Sequence, residues 1–302
     1  MNNADQKTFR SGFVAILGRP NVGKSSLMNA FVGEKIAIVS HRPQTTRNRI
    51  LGVMAREACQ IVFVDTPGIH KPRNMLGEYM VKAADSAKDG VDAVMAVVDG
   101  QLIGSSDMEV LRSLAALRCP RFIAVNKLDL VDREHLIREL AKLNELGFDQ
   151  IVPVSALKRK NLDTLEKLLI EAMPEGPKYF PDDMITDQPE RTIIAEIVRE
   201  KALRCLDEEI PHGVGVEMLS IERMGDHLIE IHANLYCEKA SHKSIIIGKQ
   251  GALLGRIGSM ARADIERLLD EHVMLKLWVK VRENWRNRVH DLRALGYSDK
   301  DN

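Results

Sequence analysis

The chain has 302 residues, which is enough for about two domains with substantial cores. Its hydrophobic content of 45% and charged content of 28% are those of an ordinary soluble globular protein. Lys+Arg and Asp+Glu are both 43, so net charge provides no overall attraction to nucleic acid, and any such attraction must come from local clusters. The four cysteines are far apart and show no zinc-binding spacing, which favours reduced thiols in a cytosolic protein.

Membrane and export signals are not evident in the sequence. No segment approaches the roughly 18 apolar residues of a membrane span. The N-terminus is polar, and its first apolar run stops at Gly18, so no signal peptide is visible. We therefore expect a soluble, intracellular protein, for which a peripheral membrane contact stays open.

The first predicted strand, Phe13 to Leu17, leads directly into a phosphate-binding motif and then a helical pattern. The motif G-x-x-x-x-G-K-[ST] consists of Gly18, Arg19, Pro20, Asn21, Val22, Gly23, Lys24 and Ser25. Its glycines let backbone amides surround phosphate oxygens, and the helix N-terminus adds its dipole. We expect Lys24 to reach the β- and γ-phosphates and the Ser25 hydroxyl to bind Mg²⁺.

A second motif follows the apolar strand Ile61 to Val64 and consists of Asp65, Thr66, Pro67 and Gly68. An Asp at this strand end can hold Mg²⁺ through water, and the Gly68 amide can bond a γ-phosphate oxygen. Loss of the γ-phosphate would release the loop beyond Gly68, which is how a switch segment works.

The third motif, Asn126-Lys127-Leu128-Asp129, follows the buried strand Phe122 to Val125. Guanine presents two donors on one edge, and the Asp129 carboxylate can accept from both. Adenine would leave that carboxylate unpaired, which is a strong form of rejection. We expect Asn126 to tie neighbouring loops together and the Lys127 stem to lie over the purine ring. Alone, this motif is equally an ordinary solvated strand end.

Ser155 and Ala156 follow the strand Ile151 to Val154, and their amides are candidates for binding the guanine O6. This pair is weak evidence alone and gains meaning from its place in the order of four motifs. Each motif follows a predicted strand, and ligands of open α/β sheets bind at the carboxyl ends of the strands. The order predicts a guanine-nucleotide site.

The fold expected for the first part is a P-loop GTPase parallel sheet covered by helices, spanning residues 10–176. Its further elements are strands Ala93 to Val98 and Ile50 to Ala55, with helices at Leu76 to Lys88, Met108 to Leu117, His135 to Leu146 and Leu162 to Ala172. A proline-rich stretch then predicts a linker at residues 177–189.

Residues 190–302 change pattern and predict a smaller α+β domain. A helix leads to two alternating segments, Val214 to Ile221 and Leu228 to Leu235, typical of an antiparallel hairpin. A G-x-x-G loop, a helix, a strand ending at Val281 and a C-terminal helix to about Leu295 follow. KH domains use such a loop between helices to clamp about four single-stranded nucleotides.

Local charge favours RNA binding at this loop. Between Lys239 and Arg262 there are five Lys and Arg residues and no Asp or Glu. Ile246 and Ile247 are candidates for an apolar floor under the bases. The full set of candidate RNA-binding residues is Lys243, Ile247, Gly248, Lys249, Gln250, Gly251 and Arg256.

The combination resembles the Era family of bacterial GTPases over nearly the whole chain. The resemblance rests on five segments of the sequence. They are the phosphate-binding motif from Gly18 to Ser25, Pro43-Gln44-Thr45-Thr46-Arg47, Asp65-Thr66-Pro67-Gly68-Ile69, Asn126-Lys127-Leu128-Asp129 and Ile247-Gly248-Lys249-Gln250-Gly251. It implies a type II KH domain, binding of 16S rRNA near its 3′ end, and a role in maturing the small (30S) ribosomal subunit. It also implies some attachment to the cytoplasmic face of the membrane. We expect a monomer.

The resemblance also assigns residue roles. It implies that Thr46 binds Mg²⁺ and the γ-phosphate. The flanking Arg42, Arg47 and Arg49 are candidates for contacting phosphate or RNA, and solvated side chains are an equally good interpretation. Ras-like enzymes carry a water-orienting Gln where this chain has Ile69, so we expect slow intrinsic hydrolysis. In related GTPases an Asn at the position of Asn21 helps to bind K⁺; the alternative is that Asn21 only supports the backbone turn.

The expected reaction is in-line attack of water on the γ-phosphorus of GTP, giving GDP and phosphate. Phosphate-loop amides, Lys24 and Mg²⁺ would stabilise the developing charge, with Thr46 and Gly68 at the γ-phosphate. The leading hypothesis is a GTP-driven switch that docks a KH domain on rRNA. The alternative is an RNA-binding assembly factor that holds guanine nucleotide with little hydrolysis. A metabolic kinase is disfavoured because Asn-Lys-x-Asp selects guanine.

Overall fold

The computed structural model describes residues 8–39, 46–68, 90–207, 210–225 and 227–297. These residues form two compact units. The first holds residues 8–37, 46–68 and 90–187, and the second holds 38–39, 188–207, 210–225 and 227–297. The helix expected at 76–88, Thr45 and Ile69 all lie outside the described residues.

A six-stranded sheet forms the centre of the first unit, in the order β2-β3-β1-β4-β5-β6. The strands are β1 Arg10–Leu17, β2 Ile50–Arg56, β3 Cys59–Asp65, β4 Ala93–Asp99, β5 Arg121–Asn126 and β6 Gln150–Pro153. Edge strand β2 is antiparallel to β3, and the other pairs are parallel. The expected parallel sheet is therefore confirmed, with one antiparallel edge.

Helices cover both faces of this sheet because alternate residues of each strand point to opposite sides. The helices are α1 Lys24–Val32, α2 Ser105–Ala115, α3 Arg133–Asn144 and α4 Leu162–Ala172. Val14 and Ile16 join the core on the side of α1 and α4. Ala15 and Leu17 join the core on the side of α2 and α3. This two-sided burial explains why the strands read as continuous apolar runs.

The register of the parallel strands brings the sequence motifs to one edge. Ile16 of β1 pairs with Asp65 of β3, and Asp99 of β4 pairs with Asn126 of β5. The residues that follow β1, β3, β4, β5 and β6 therefore converge at the carboxyl ends of the strands, where ligands of such sheets bind.

The second unit has the order helix, two strands, two helices, strand, which confirms the expected type II KH fold. Its elements are α5 Glu190–Cys205, β7 Gly215–Arg223, β8 Leu228–Cys237, α6 Ala240–Ile247, α7 Ala252–Leu269 and β9 His272–Val281, followed by α8 Val289–Ala294. β8 is the central strand, antiparallel to β7 and parallel to β9. None of the helices in the described residues is both long enough and apolar enough to cross a membrane.

Most of the segment expected to be a linker packs against the first unit. The buried Gln60 of β3 accepts from the Tyr179 and Phe180 amides at 2.8 and 2.9 Å and donates to the Phe180 carbonyl at 2.8 Å. Farther along, the Val53 amide donates to the Ile185 carbonyl at 2.9 Å. The segment is therefore part of the first unit as far as Asp187.

We predict that Gln60→Leu releases this segment, because the new side chain keeps similar bulk but leaves three backbone groups unpaired. The lost hydrogen bonds are part-buried, and each contributes about 0.5–1.5 kcal/mol, so the amides of 179 and 180 should exchange hydrogen much faster. Hydrogen exchange measured by mass spectrometry checks this, with Gln150→Leu at the exposed start of β6 as the control. Unchanged protection of the 178–181 segment would contradict the role of Gln60.

Candidate functional site: a nucleotide site and a glycine loop

The phosphate loop has the compact backbone that its motif predicts. Asn21 and Gly23 adopt positive φ angles of 66° and 101°, and α1 begins at Lys24. A Cβ on Gly23 would lie 2.1 Å from the Asn126 Nδ2 atom, so no other residue fits without displacing that side chain. The loop therefore sits directly against the third motif.

Lys24 is buried beneath this loop, with 6% of its surface exposed. Its Nζ atom donates to the carbonyls of Gly18 and Arg19 at 3.1 and 3.0 Å. Burial lowers the pKa of Lys24 to about 8, although the Asp65 carboxylate acts in the opposite direction. A cation held this way, with its charge poorly solvated, is suited to bind phosphate oxygens.

Three oxygen-bearing side chains converge beside Lys24. The Ser25 hydroxyl donates to Asp65 Oδ2 at 2.6 Å and lies 2.9 Å from the Thr46 hydroxyl. Burial raises the pKa of Asp65, against the influence of Lys24 and of the Ser25 hydrogen bond. The Asp65 Oδ1 atom is buried and has no hydrogen-bond partner among the described residues. This oxygen-only donor set fits Mg²⁺, which needs few protein ligands when phosphates complete its shell.

The Asp65 motif lies close to the phosphate loop. The Thr66 hydroxyl donates to the Ile16 carbonyl at 3.0 Å, which joins the ends of β3 and β1. A Cβ on Gly68 would lie 2.6 Å from the Pro20 nitrogen, so only glycine permits this approach. The Gly68 backbone is therefore adjacent to the place where phosphate is expected.

Asn126 joins the phosphate loop to the base-recognition loops, as expected. Its Nδ2 atom donates to the Val22 carbonyl at 2.9 Å, and its Oδ1 atom accepts from the Ala156 amide at 3.0 Å. The side chain is 3% exposed. Both ends of this buried amide are thus satisfied by loops that are remote in sequence.

The base-recognition residues are held by two carboxylate contacts. Lys127 has a left-handed backbone (φ 67°), and its Nζ atom lies 2.5 Å from Asp99 Oδ2. Ser155, which is fully buried, donates its hydroxyl hydrogen to Asp129 Oδ1. Ser155 therefore orients the carboxylate that is expected to read guanine.

The amides expected to bind the guanine O6 already have protein acceptors. The Ser155 amide donates to the Lys160 carbonyl at 3.1 Å, and the Ala156 amide donates to Asn126. A contact of Ala156 with O6 would have to be shared with Asn126, and it stays a prediction.

Two carboxylates that contact motif residues, those of Asp99 and Asp107, lie outside the sequence motifs. Asp99 contacts Lys127, while Asp107 Oδ1 accepts from Arg19 Nε at 2.7 Å. Asp99 could have been found, because it ends the apolar run of β4 at the same sheet edge as the motifs. Asp107 lies in the first turn of α2, where an acid is expected as a helix cap, so the sequence does not mark its contact with Arg19.

The second candidate site is the G-x-x-G loop of the KH domain. Gly248, Gln250 and Gly251 all have positive φ angles (72°, 52° and 81°), so the chain turns sharply between α6 and α7. Lys249 and Arg256 are exposed, and Lys243 and Ile247 are half-buried. The expectation that Ile246 forms a floor for bases is wrong, because this side chain is fully buried in the domain core.

A groove of about 350 Å³ runs from this loop between α7 and β9. Gly255 and Gly258 leave one side of α7 without side chains, while Leu254 and Leu277 supply apolar walls. Arg262 adds a cation at the groove. A groove with leucine walls and a cation beside a G-x-x-G loop suits a single-stranded nucleic acid.

Two family profiles match the chain in the two units. The profile described as a 50S ribosome-binding GTPase matches residues 13–127, and the KH domain profile matches residues 209–286. These matches agree with the nucleotide site and the glycine loop.

Curated relatives are similar over nearly the full length. GTPase Era of Alkaliphilus metalliredigens is 53% identical over 293 residues, which is 96% of this chain and 99% of the relative. GTPase Era of Clostridioides difficile is 53% identical over 296 residues, covering 97% of this chain and 100% of the relative.

Two solved structures are similar in both units. Era in complex with MgGDPNP and nucleotides 1506–1542 of 16S ribosomal RNA has a TM-score of 0.90 at 38% identity, covering 96% of this chain and 99% of its own. A single-substitution variant of Aquifex aeolicus Era bound to GDP·AlF4⁻ has a TM-score of 0.92 at 37% identity, covering 96% and 100%.

We predict that Asp129→Asn changes base preference from guanine to xanthine. The Ser155 hydroxyl can still hold the Asn oxygen, which turns the amide donor toward the xanthine 2-oxo group. Competition binding of GDP and XDP should show GDP affinity falling by roughly 10²-fold or more while XDP affinity rises. Asp163→Asn, an exposed change in the first turn of α4, is the matched control. Unaltered preference for GDP would contradict the role of Asp129.

Proposed function

Because the chain belongs to the Era family of GTPases, we propose that its GTP site controls how its KH domain, taken as residues 190–302, holds 16S rRNA during 30S subunit assembly. The observation that carries this proposal is the convergence of Ser25, Thr46 and Asp65. Thr46 belongs to the expected switch segment, and its hydroxyl reaches the oxygens expected around Mg²⁺. The state of the nucleotide is thus linked to the position of that segment.

Hydrolysis is proposed to use Lys24, Thr46 and Gly68 together with bound Mg²⁺. Ser25, Thr46 and Asp65 would hold Mg²⁺, which when bound neutralises charge on the phosphate oxygens. Lys24 stabilises the β- and γ-oxygens from a buried position that strengthens its field. The Gly68 amide is adjacent to the phosphate loop and is proposed as a donor to the γ-phosphate. Ile69 offers no group to orient water, so intrinsic turnover is slow.

RNA binding is proposed at the groove between α7 and β9 and at the exposed Lys249 and Arg256. A relative's structure contains nucleotides 1506–1542 of 16S rRNA, and the groove of this chain has the shape and charge for such a strand. We also propose a monomeric state, and a peripheral contact with the cytoplasmic membrane face, which the family resemblance implies.

GTP turnover with and without RNA from the 3′ end of 16S rRNA tests the proposal. We expect RNA to change the turnover rate by at least about fivefold, because RNA that favours one switch conformation changes the fraction of molecules able to hydrolyse GTP. An RNA of scrambled sequence is the control. A turnover rate indifferent to the cognate RNA would favour the alternative, an assembly factor that only holds nucleotide.

Lys249→Ala should weaken RNA binding by removing one phosphate contact. The slope of log affinity against log salt should fall by about 0.7, as for one lost contact to a single strand. Fluorescence anisotropy with a labelled RNA measures both quantities. Arg267→Ala, at the other end of α7 and highly exposed, is the matched control. Equal losses of RNA affinity in the two variants would contradict a specific contact between the G-x-x-G loop and RNA.

Asn21 is proposed to help bind K⁺ in the hydrolysing state. Turnover should then be faster in K⁺ than in Na⁺, and Asn21→Gly should abolish the difference. Glycine tolerates the positive φ of 66° at this position, so the loop backbone is kept. Equal wild-type rates in the two salts would leave Asn21 with a purely structural role.

A further inference from the structure

A buried carboxylate outside the motifs contacts the phosphate loop. Asp107 in the first turn of α2 is 2% exposed. Its Oδ2 atom accepts from the Gly104 amide at 2.9 Å, and its Oδ1 atom accepts from Arg19 Nε at 2.7 Å. One oxygen therefore caps its own helix, while the other holds a residue of the phosphate loop.

Arg19 in turn contacts Lys24. The Arg19 carbonyl accepts from Lys24 Nζ at 3.0 Å, beside the Gly18 carbonyl at 3.1 Å. Arg19 therefore contacts Asp107 through its side chain and the buried Lys24 through its backbone carbonyl. A continuous set of hydrogen bonds runs from α2 through Arg19 to the Lys24 ammonium.

Helix capping alone does not account for this arrangement. The cap needs only Oδ2, whereas Oδ1 is aimed at a side chain 88 residues away in sequence. The Arg19 side chain is 35% exposed, and a partly exposed ion pair contributes little to stability. We expect the ion pair to matter more for the position of the phosphate loop than for stability. The position of a charged catalytic group strongly affects the reaction rate.

We propose that Asp107 is a positioning residue for GTP hydrolysis, acting through Arg19 on the orientation of Lys24. This inference rests on the role proposed above for Lys24. Nucleotide affinity depends on many loop amides and on the base contacts, so it changes little when this link is broken. The rate depends on where the lysine charge lies in the transition state, so it changes more.

The test uses the full chain with Arg19→Ala, Asp107→Asn, the double variant and Arg19→Lys. Single-turnover GTP hydrolysis, GDP affinity and thermal unfolding are measured for each. Glu166→Gln, which breaks a comparable Arg–carboxylate pair with Arg56 (2.8 Å) away from the site, is the control. Lys24→Ala is the reference for the proposed role of the lysine itself.

We expect Arg19→Ala and Asp107→Asn each to slow hydrolysis about tenfold, less than the roughly 10²-fold of a 1 Å misplacement. GDP affinity should stay within about threefold. The double variant should be no slower than the slower single variant, because both break one link. Arg19→Lys should recover part of the rate, and Glu166→Gln should match the wild type.

Other results would overturn the inference. Additive rate losses would mean that the two residues act independently. A slow Arg19→Ala with a normal Asp107→Asn would mean that Arg19 acts on the nucleotide directly. Lowered thermal stability with a normal rate would leave Asp107 only as a helix cap. If Asp107→Asn fails to fold, the two Arg19 variants decide. Normal hydrolysis by Lys24→Ala would instead refute the proposed role of the lysine.

Discussion

The nucleotide site depends on one buried amide, the side chain of Asn126. It binds the Val22 carbonyl and the Ala156 amide, which are 104 and 30 residues away in sequence. A buried group with two such partners is costly to remove, because each partner would be left unpaired. The phosphate and base-recognition loops therefore cannot separate without breaking these bonds. Parallel strand ends bring the loops near one another, and Asn126 joins them.

The same site holds two buried groups of opposite charge, Lys24 and Asp65, and burial disfavours the charged form of each. Burial lowers the pKa of Lys24 to about 8 and raises the pKa of Asp65, and each group partly offsets the shift of the other. Within the part of the chain that the structure describes, the buried Oδ1 atom of Asp65 also has no hydrogen-bond partner. Nucleotide phosphates and a divalent cation would supply partners for these groups, which the fold holds in place without them. Thr46 connects the expected switch segment to this arrangement.

Much of this site follows from the sequence, for a physical reason. Each motif follows an apolar strand, and the carboxyl ends of parallel strands meet at one edge, so Gly23, Asp65 and Asn126 could be placed together. Contacts made by side chains within helices could not be foreseen in the same way. Asp107 is an ordinary first-turn acid in the sequence, and its bond with Arg19 depends on how α2 packs against the sheet.

Two further predictions differ from the structure for the same reason, namely that long-range packing decides them. Ile246 was expected beneath RNA bases, but the rotation of α6 places it in the core and leaves Ile245 outside. The proline-rich segment predicted a linker, yet the buried Gln60 binds its backbone to β3. Burial and long-range hydrogen bonds decide these points, and neither has a local pattern.

We propose above all that the nucleotide state and the RNA affinity of this protein are coupled. Coupling is reciprocal, so a state that binds RNA more tightly must itself be favoured by RNA. The most direct measurement is the affinity of the full chain for the 3′ end of 16S rRNA with a non-hydrolysable GTP analogue and with GDP. We expect RNA affinities that differ by at least about fivefold, and added RNA should change the ratio of analogue affinity to GDP affinity by the same factor. Equal RNA affinities in the two states would contradict it.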